Sequence, residues 1–564
     1  MWQHPRVDEK FREGMRQGFA FTEPTVVLGN PMLNSEVVQD VRVQAPLAML
    51  NRHGLVAGAT GTGKTKTLQI IAGQLSDAGV PCFVADIKGD VTGIAKPGDP
   101  SNPKVQERSA QLGWTFRPAG HPVEFLSLSG RLGAQVRATV HSFGAILLAK
   151  VLDLNHTQTS VLSMIFKYCD DNQLPLLDLA DLRTTLQYLS SDTGKAALAD
   201  YGGMSTATVG VLLRSILTLE TSGADTFFGE PQFDVADLLR ITPDGKGIVT
   251  VLELSDVMDK PRLFSTFMLW MLAQLYHTLP EMGDLPKPKL CFFFDEAHLL
   301  FSEASGALME QIELTVRLIR SKGVGVYFAT QAPTDVPSSV LAQLGNRVQH
   351  ALRAFTPDDA DALRKTARTF PTSEFYDLEK VIPALGIGEA LVTVLTPRGI
   401  PTPVAATRLV PPDCSMDALD PATFQSLVAA GGLQAKYAAT IDRQSAHEII
   451  TGRIAAAQAA AAQAVAAQAA SAPAATAGTV QGAQPAMTQA AYDRAVRAQA
   501  REIARQQREA EREAARQRRA EQTAARARQR QQEQLLRAGT RIFTSRSGQS
   551  MIRGVFGTLF GGKR

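Results

Sequence analysis

Residues 58–65, GATGTGKT, have the spacing G-x-x-x-x-G-K-T, which suits a loop that binds phosphate groups. Glycines let such a loop turn tightly and aim backbone N–H groups at phosphate oxygens, the lysine reaches the β and γ phosphates, and the threonine hydroxyl holds a magnesium ion. An apolar run precedes the loop and a helix-like run, KTKTLQIIAGQL, begins at its end, as this chemistry requires. We therefore assign nucleotide binding to Gly58, Ala59, Thr60, Gly61, Thr62, Gly63, Lys64, Thr65 and Lys66, with Lys64 also catalytic and Thr65 a magnesium ligand.

Two acidic residues follow a second apolar run. In KLCFFFDEAHLLF, a fully apolar strand is predicted to end at Asp295 and Glu296. Asp295 can hold magnesium through water, and Glu296 can polarise the water that attacks the γ-phosphate. A third run, GVGVYFATQ, ends in Thr330 and Gln331, which suit sensing the γ-phosphate and orienting that water. Together with the loop, these residues predict hydrolysis of a nucleoside triphosphate.

Other residues limit which nucleotide and which metal ions are expected. No N-K-x-D motif for reading guanine occurs, which disfavours a GTPase without showing a preference for adenine. The four cysteines lie far apart without C-x-x-C pairs, and the nine histidines show no H-x-x-x-H spacing, so we expect neither disulfides nor a metal other than magnesium. Asp86 and Lys88 follow another predicted strand at the phosphate edge, where Asp86 either bonds the loop and its water network or simply ends a turn.

Short apolar runs that alternate with helical patterns predict an α/β fold with a mostly parallel, buried sheet. The runs are residues 55–57, 82–85, 123–128, 247–254, 289–294 and 324–329. RVQHALRAF and EALVTVL predict two further strands, with a helix between them that Thr356 could cap. From 139 to 240 the periodicity is helical, which indicates a helical insertion. Polar residues interrupt the uncharged run 263–280, so we expect a buried helix there and no membrane span.

Charge is distributed unevenly along the chain. Of a formal net charge of +3, residues 491–564 contribute 18 Lys/Arg against 7 Asp/Glu, so the rest of the chain is acidic overall. Residues 454–470 are almost entirely Ala and Gln, and a mixed linker follows to about 488. Residues 490–537 predict a long charged helix, whose apolar residues are mostly Ala and too small for the strong heptad seam of a stable coiled coil. The acid-free end suits a membrane-surface or partner-binding helix, or a frayed tail.

Four segments carry a family resemblance: GATGTGKT, VADIKGD, FFFDEAH and ATQAPTDVP. In this order they resemble the HerA-like branch of the HerA/FtsK superfamily of P-loop ATPases, and QLGNRVQHALRAFTP with LGIGEALVTVL is similar to HerA-like bacterial proteins of unassigned function (DUF853). The resemblance implies a RecA-type core, ATP as the nucleotide, and a homo-hexamer with ATP bound between subunits. It also implies coupling of hydrolysis to translocation or unwinding of double-stranded DNA.

The chain departs from its relatives beside Gln331. Relatives often have a basic residue after the T-Q pair, whereas this chain has Ala332. An arginine finger must therefore come from elsewhere, with Arg347 as the first candidate and Arg320 and Arg353 behind it. The short segment before residue 50 also leaves little room for an N-terminal barrel.

Two functions from different classes remain open. The first is a hexameric, ATP-hydrolysing DNA motor, and the alternative is an ATP-driven assembly or coupling factor that acts on a protein partner or an anionic membrane surface through the basic tail. We expect a cytoplasmic protein. Binding by the basic tail would place it at the periphery of the nucleoid or of the inner membrane. The predicted parts are an N-terminal segment (1–50), a RecA-like core (51–138 and 241–410), a helical insertion (139–240), an Ala/Gln-rich helix and linker (411–488), and a basic helical tail (489–564).

Overall fold

A computed structural model describes residues 9–283, 285–302 and 306–470. The strands are β1 (Thr25–Leu33), β2 (Glu36–Val37), β3 (Val43–Pro46), β4 (Gly54–Ala57), β5 (Cys82–Asp86), β6 (Val123–Ser127), β7 (Ala134–Gln135), β8 (Val249–Glu253), β9 (Leu290–Phe294), β10 (Val324–Thr330), β11 (Asn346–Gln349), β12 (Glu389–Thr393) and β13 (Ala405–Leu409). The α-helices are α1 (Glu9–Gly18), α2 (Lys64–Asp77), α3 (Pro103–Leu112), α4 (Val140–Val151), α5 (His156–Asp171), α6 (Leu179–Ser190), α7 (Asp192–Lys195), α8 (Thr206–Thr221), α9 (Pro261–Thr278), α10 (His298–Ser302), α11 (Gly306–Ile319), α12 (Ser338–Leu341), α13 (Pro357–Ala367), α14 (Leu378–Ala384), α15 (Pro421–Ala430), α16 (Gly432–Tyr437) and α17 (Ala446–Ala470).

All of these strands belong to one sheet with a parallel and an antiparallel part. The order is β2-β1-β13-β12-β11-β4-β10-β9-β5-β8-β6-β7, and β3 pairs with β1. From β11 to β7 every neighbouring pair is parallel. The pairs among β11, β12, β13, β1, β2 and β3 are antiparallel. The N-terminal strands therefore extend the sheet on the side of β13.

The central strands are buried on both faces, which explains why they are continuous apolar runs. Every residue of β4, β5, β9 and β10 is buried. One face packs in a hydrophobic cluster with apolar residues of α2, such as Leu68 and Leu75. The other face packs in a second cluster with α9, where Trp270 is fully buried.

The predicted elements are confirmed in place and type. β4, β5, β6, β8, β9 and β10 coincide with the six apolar runs, and β11 and β12 lie in the two further segments. Between them α13 begins after Thr356, whose side chain accepts a hydrogen bond from the backbone N–H of Asp359. The uncharged run forms α9, a buried helix as expected. Within the part of the chain that the structure covers, no helix is long and apolar enough to cross a membrane.

Helices α4 to α8 lie between β7 and β8 and share one hydrophobic cluster with a face of the sheet. Trp270 of α9 donates a hydrogen bond from its indole Nε1 to the hydroxyl of Ser142 in α4, at 3.0 Å. The helical segment is therefore continuous with the core of the sheet.

The compact unit of the chain runs from Met1 to Ala466, and a second unit begins at Ala467. The core extends past the predicted limit at 410, because Leu433, Tyr437 and Ile450 are buried in the same cluster as the sheet. The predicted linker from 471 onward, the charged helix and the basic end lie outside the described residues.

Candidate active site

Neighbouring parallel strands end together at one edge of the sheet. Thr330, the last residue of β10, pairs with Ala57, the last residue of β4. Phe294, the last residue of β9, pairs with Phe328 of β10 and with Ala85 of β5. This register brings the glycine-rich loop after β4, the acid pair after β9 and the polar pair after β10 to the same edge.

The glycine-rich loop has a backbone that only glycine adopts easily. Gly58, Gly61 and Gly63 all have positive φ, at 155°, 78° and 117°. A Cβ on Gly58 would lie 2.4 Å from the Cβ of His350, so the loop also needs glycine there for space. The carbonyl of Thr62 accepts the N–H of Gly388 at 3.1 Å, which ties the loop to the turn before β12.

Lys64 begins α2 with its ammonium inside the curve of this loop. It donates to the carbonyl of Gly58 at 2.8 Å and is 7% exposed. Burial lowers the pKa of Lys64, while the charges of Glu296 and Asp295 act in the opposite direction. Lys66 donates to the carbonyl of Met416 and lines a cavity together with Gly63 and Thr67.

The acid pair after β9 has two buried carboxylate oxygens without hydrogen-bond partners among the described residues. Asp295 accepts the N–H of Glu296 on Oδ1 at 3.0 Å, while its Oδ2 has no hydrogen-bond partner among the described residues. Burial, and then the charges of Glu296 and Asp86, raise the pKa of Asp295 to about 6. Glu296 is 4% exposed, and its Oε1 is paired with Lys88. Its Oε2 lies 3.4 Å from Nδ1 of His298 and likewise has no hydrogen-bond partner in the described part of the chain.

Thr330 and Gln331, the polar pair after β10, lie in different surroundings. The hydroxyl of Thr330 donates to Asp335 at 2.7 Å, and the N–H of Ala332 donates to the same carboxylate at 2.8 Å. The hydroxyl of Thr330 is thus engaged in holding the turn. Gln331 is exposed and lines a cavity of about 590 Å³ that Arg353 also lines.

The three candidate arginine fingers lie in different places. The guanidinium of Arg347 donates to the carbonyls of Leu344 at 3.1 Å, Thr369 at 2.6 Å and Leu341 at 3.3 Å. The structure therefore commits Arg347 to backbone carbonyls, and contact with a phosphate would require these bonds to break. Arg320 precedes β10, at the opposite edge of the sheet from the loop. Arg353 is the one of the three that lines the cavity beside Gln331.

Two further side chains, His350 and Asp335, support the site without having been predicted to do so. His350 is fully buried beneath the loop, and its Nε2 lies 2.9 Å from the hydroxyl of Thr67. Burial, and then the charge of Lys64, lower the pKa of His350 to about 4, so its imidazole is neutral at physiological pH. Asp335 accepts from two groups of the turn after β10, as described above. The contact of His350 has no local sequence signal, because it joins separate parts of the chain, whereas Asp335 lies within five residues of both of its partners.

A smaller, largely apolar cavity of about 180 Å³ adjoins the end of the loop. Its lining includes Gly63 and Thr67 at the start of α2, and Ile387, Pro411 and Met416 from two C-terminal segments.

A group of three metal-type side chains lies elsewhere among the described residues, around the buried His121. Asp77, His121 and Asp413 place ligand atoms within 4.8 Å of one another. Each carboxylate already has a partner, since Asp77 pairs with Lys246 at 2.8 Å and Asp413 lies 3.1 Å from Nε2 of His121. We therefore assign no ion to this group.

The family follows from a profile match over most of the chain. The profile described as Helicase HerA-like C-terminal matches residues 32–564. The chain belongs to the HerA-like family. No curated protein matches this HerA-like chain.

Solved structures resemble the HerA-like chain at low sequence identity. The unbound bacterial conjugative coupling protein TrwBdeltaN70 is 15% identical with a TM-score of 0.47, over 72% of this chain and 93% of that chain. The plasmid coupling protein TrwB in complex with the ATP analogue ADPNP is 15% identical with a TM-score of 0.45, over 72% and 98%. VirB4 of Thermoanaerobacter pseudethanolicus is 14% identical with a TM-score of 0.43, over 69% and 98%. These scores are too low for the likeness to carry an argument about function.

Glu253 is a further buried acid at the same edge. It ends β8 as the partner of Asp86, is 2% exposed, and has an Oε1 without a hydrogen-bond partner in the described ranges. Burial, and then the charges of Asp86 and Asp256, raise its pKa from 4.5 to about 8. The folded protein therefore holds a proton that the unfolded chain releases between these pH values, so folding stability falls as pH rises through this window.

We expect Glu253→Gln to remove this pH dependence. Urea unfolding at pH 5 and at pH 8 should show that wild-type protein loses on the order of a few kcal/mol more stability than the variant over this interval. Glu23→Gln, at an exposed position, is the matched control and should behave as wild type. Equal pH dependence in Glu253→Gln and wild type would show that Glu253 is ionised in the folded protein.

Proposed function

We propose that this HerA-like protein binds ATP with Mg²⁺ at the carboxyl edge of its sheet and hydrolyses the β–γ phosphate bond. The observation that carries this proposal is a pair of buried carboxylate oxygens without hydrogen-bond partners in the described residues, Asp295 Oδ2 and Glu296 Oε2. Leaving a buried polar atom unpaired costs free energy, and such atoms are therefore expected where a ligand completes them. Both carboxylates are close enough to Lys64 to act on its pKa.

A magnesium nucleotide fits this set of donors. Mg²⁺ prefers oxygen ligands and keeps several waters, so Thr65 would bind it directly and Asp295 Oδ2 through water. When bound, the ion neutralises charge that develops on the phosphates during transfer. The N–H groups of the glycine-rich loop point at phosphate oxygens, and Lys64 exchanges the carbonyl of Gly58 for a phosphate oxygen.

Hydrolysis needs a base and an oriented water. Glu296 Oε2 accepts the proton of the attacking water, whose oxygen forms the new bond to the γ-phosphorus as the bond to the β–γ bridging oxygen breaks. Gln331, exposed in the larger cavity, orients this water through its side-chain amide. The apolar cavity beside Thr67 takes the nucleoside, since it opens at the end of the phosphate loop.

The wider role that we propose is a homo-hexameric motor that couples hydrolysis to movement along double-stranded DNA. The family supports this role, as does the surplus of positive charge in residues 491–564, which suits a polyanion. An arginine that completes the site of its own chain would have to be exposed and near the cavity beside Gln331. Arg353 meets both conditions better than Arg347, because it lines that cavity and donates to one backbone carbonyl, that of Pro383, whereas Arg347 donates to three.

We predict that substitution separates binding from hydrolysis. Lys64→Ala should abolish nucleotide binding or turnover, since the phosphate charge loses its buried counter-charge. Glu296→Gln should bind ATP normally and lower kcat by roughly 10²- to 10⁴-fold, because the amide cannot accept the proton. Binding of a fluorescent ATP analogue and phosphate release measure the two effects. Turnover of Glu296→Gln near the wild-type rate would remove Glu296 from the role of base.

The motor proposal is tested by the ATPase rate with and without duplex DNA over a salt series. We expect duplex DNA to raise the rate severalfold at low salt, with the effect fading as salt increases, because phosphate contacts release counterions. Protein truncated before Met487 is the matched control and should keep its basal rate but lose part of the stimulation. No stimulation by DNA, together with binding to anionic vesicles that the truncation removes, would instead support a coupling factor at a membrane surface.

A further inference from the structure

Lys88 contacts Glu296, the proposed base, although Lys88 lies more than two hundred positions earlier in the chain. It follows β5, the strand beside β9, and its amine pairs with Oε1 of Glu296. The Lys88 side chain is 38% exposed, whereas that of Glu296 is 5% exposed. The pair is therefore partly shielded from water, where an ion pair constrains its partners more than it does at an open surface.

The backbone that carries Lys88 is fixed by Asp86. The carboxylate of this fully buried residue accepts the N–H groups of Lys88 at 3.2 Å, Gly89 at 2.8 Å, Asp90 at 3.2 Å and Val91 at 2.7 Å. A carboxylate that receives four N–H groups holds its turn in one conformation. Lys88 is thus presented to Glu296 from a rigid turn, and only its side chain is free to adjust.

The backbone of Glu296 has an unfavourable conformation that surrounding contacts must stabilise. Its φ is 46°, in the left-handed region that residues with a Cβ rarely occupy. Such backbone persists where surrounding contacts determine it, often at functional sites. With Oε1 held by Lys88, the carboxylate cannot rotate freely, and Oε2 is the oxygen left without a hydrogen-bond partner within the described chain.

We propose that Lys88 is a positioning residue for hydrolysis, which holds Glu296 by Oε1 so that Oε2 is the oxygen that accepts the proton of the attacking water. This inference rests on the proposed ATPase function. It assigns Lys88 a role that acts through Glu296 and not through the nucleotide. The phosphate charge is met by Lys64 and by the N–H groups of the loop.

The test is the ATPase kinetics of Lys88→Met. We expect kcat to fall by on the order of 10- to 100-fold, the size of effect seen when a reacting group is misplaced, while KM for ATP changes little. Lys88→Arg should keep most of the rate, since a guanidinium also pairs with a carboxylate. Lys96→Met, an exposed lysine of the following segment, is the matched control and should leave the rate unchanged.

A second comparison separates positioning from other roles. In single-turnover assays with enzyme in excess, Lys88→Met should lower the residual rate of Glu296→Gln little further, because both changes remove the same contribution. A full additional loss in that background, a rise in KM without a fall in kcat, or a wild-type kcat would each overturn the proposal for Lys88. Those results leave the ATPase proposal intact, which fails only if Glu296→Gln itself hydrolyses ATP at the wild-type rate.

Discussion

Every part of the site depends on the parallel pairing of β4, β10, β9, β5 and β8. The register of this pairing places the carboxyl ends of these strands next to one another. Because Ala57 pairs with Thr330, and Phe294 pairs with Ala85, the groups that follow these residues share one edge of the sheet. A shift of one residue in any pair would turn its polar end toward a hydrophobic cluster. Burial of these strands on both faces is what fixes the register, since their apolar side chains pack in both clusters.

Four acidic side chains lie at this edge of the sheet, where they are shielded from water. Asp86, Glu253, Asp295 and Glu296 are all at most 4% exposed. Burial raises the pKa values of Asp86, Glu253 and Asp295, so these acids hold protons more tightly than they would in water. Hydrogen bonds from backbone N–H groups offset this for Asp86, and ion pairing with a lysine offsets the cost of burying Glu296. Of the oxygens left without a hydrogen-bond partner among the described residues, those of Asp295 and Glu296 are the ones that the proposed chemistry uses.

Local patterns in the sequence were sufficient for the strands, the glycine-rich loop and the acid pair, because each consists of neighbouring residues whose spacing has a physical cause. Contacts across the sheet were not predictable in this way. Lys88 meets Glu296 only because β5 lies beside β9, an order that the chain sequence does not specify. Nothing in the sequence excludes Arg347 as an arginine finger, yet the segments around β11 surround its guanidinium with carbonyls. The core beyond 410 was missed because few large apolar residues, such as Tyr437, signal it.

We propose that the free oxygen of Asp295 and the hydroxyl of Thr65 mark a divalent cation site that forms with the nucleotide. Electron paramagnetic resonance of Mn²⁺, used in place of Mg²⁺ with a non-hydrolysable ATP analogue, tests this directly. We expect wild type and Glu296→Gln to bind Mn²⁺ only when the analogue is present, and Thr65→Ala and Asp295→Asn to bind it at least tenfold more weakly, as expected when a metal ligand or its support is lost. Equal Mn²⁺ binding by all four proteins would contradict the claim.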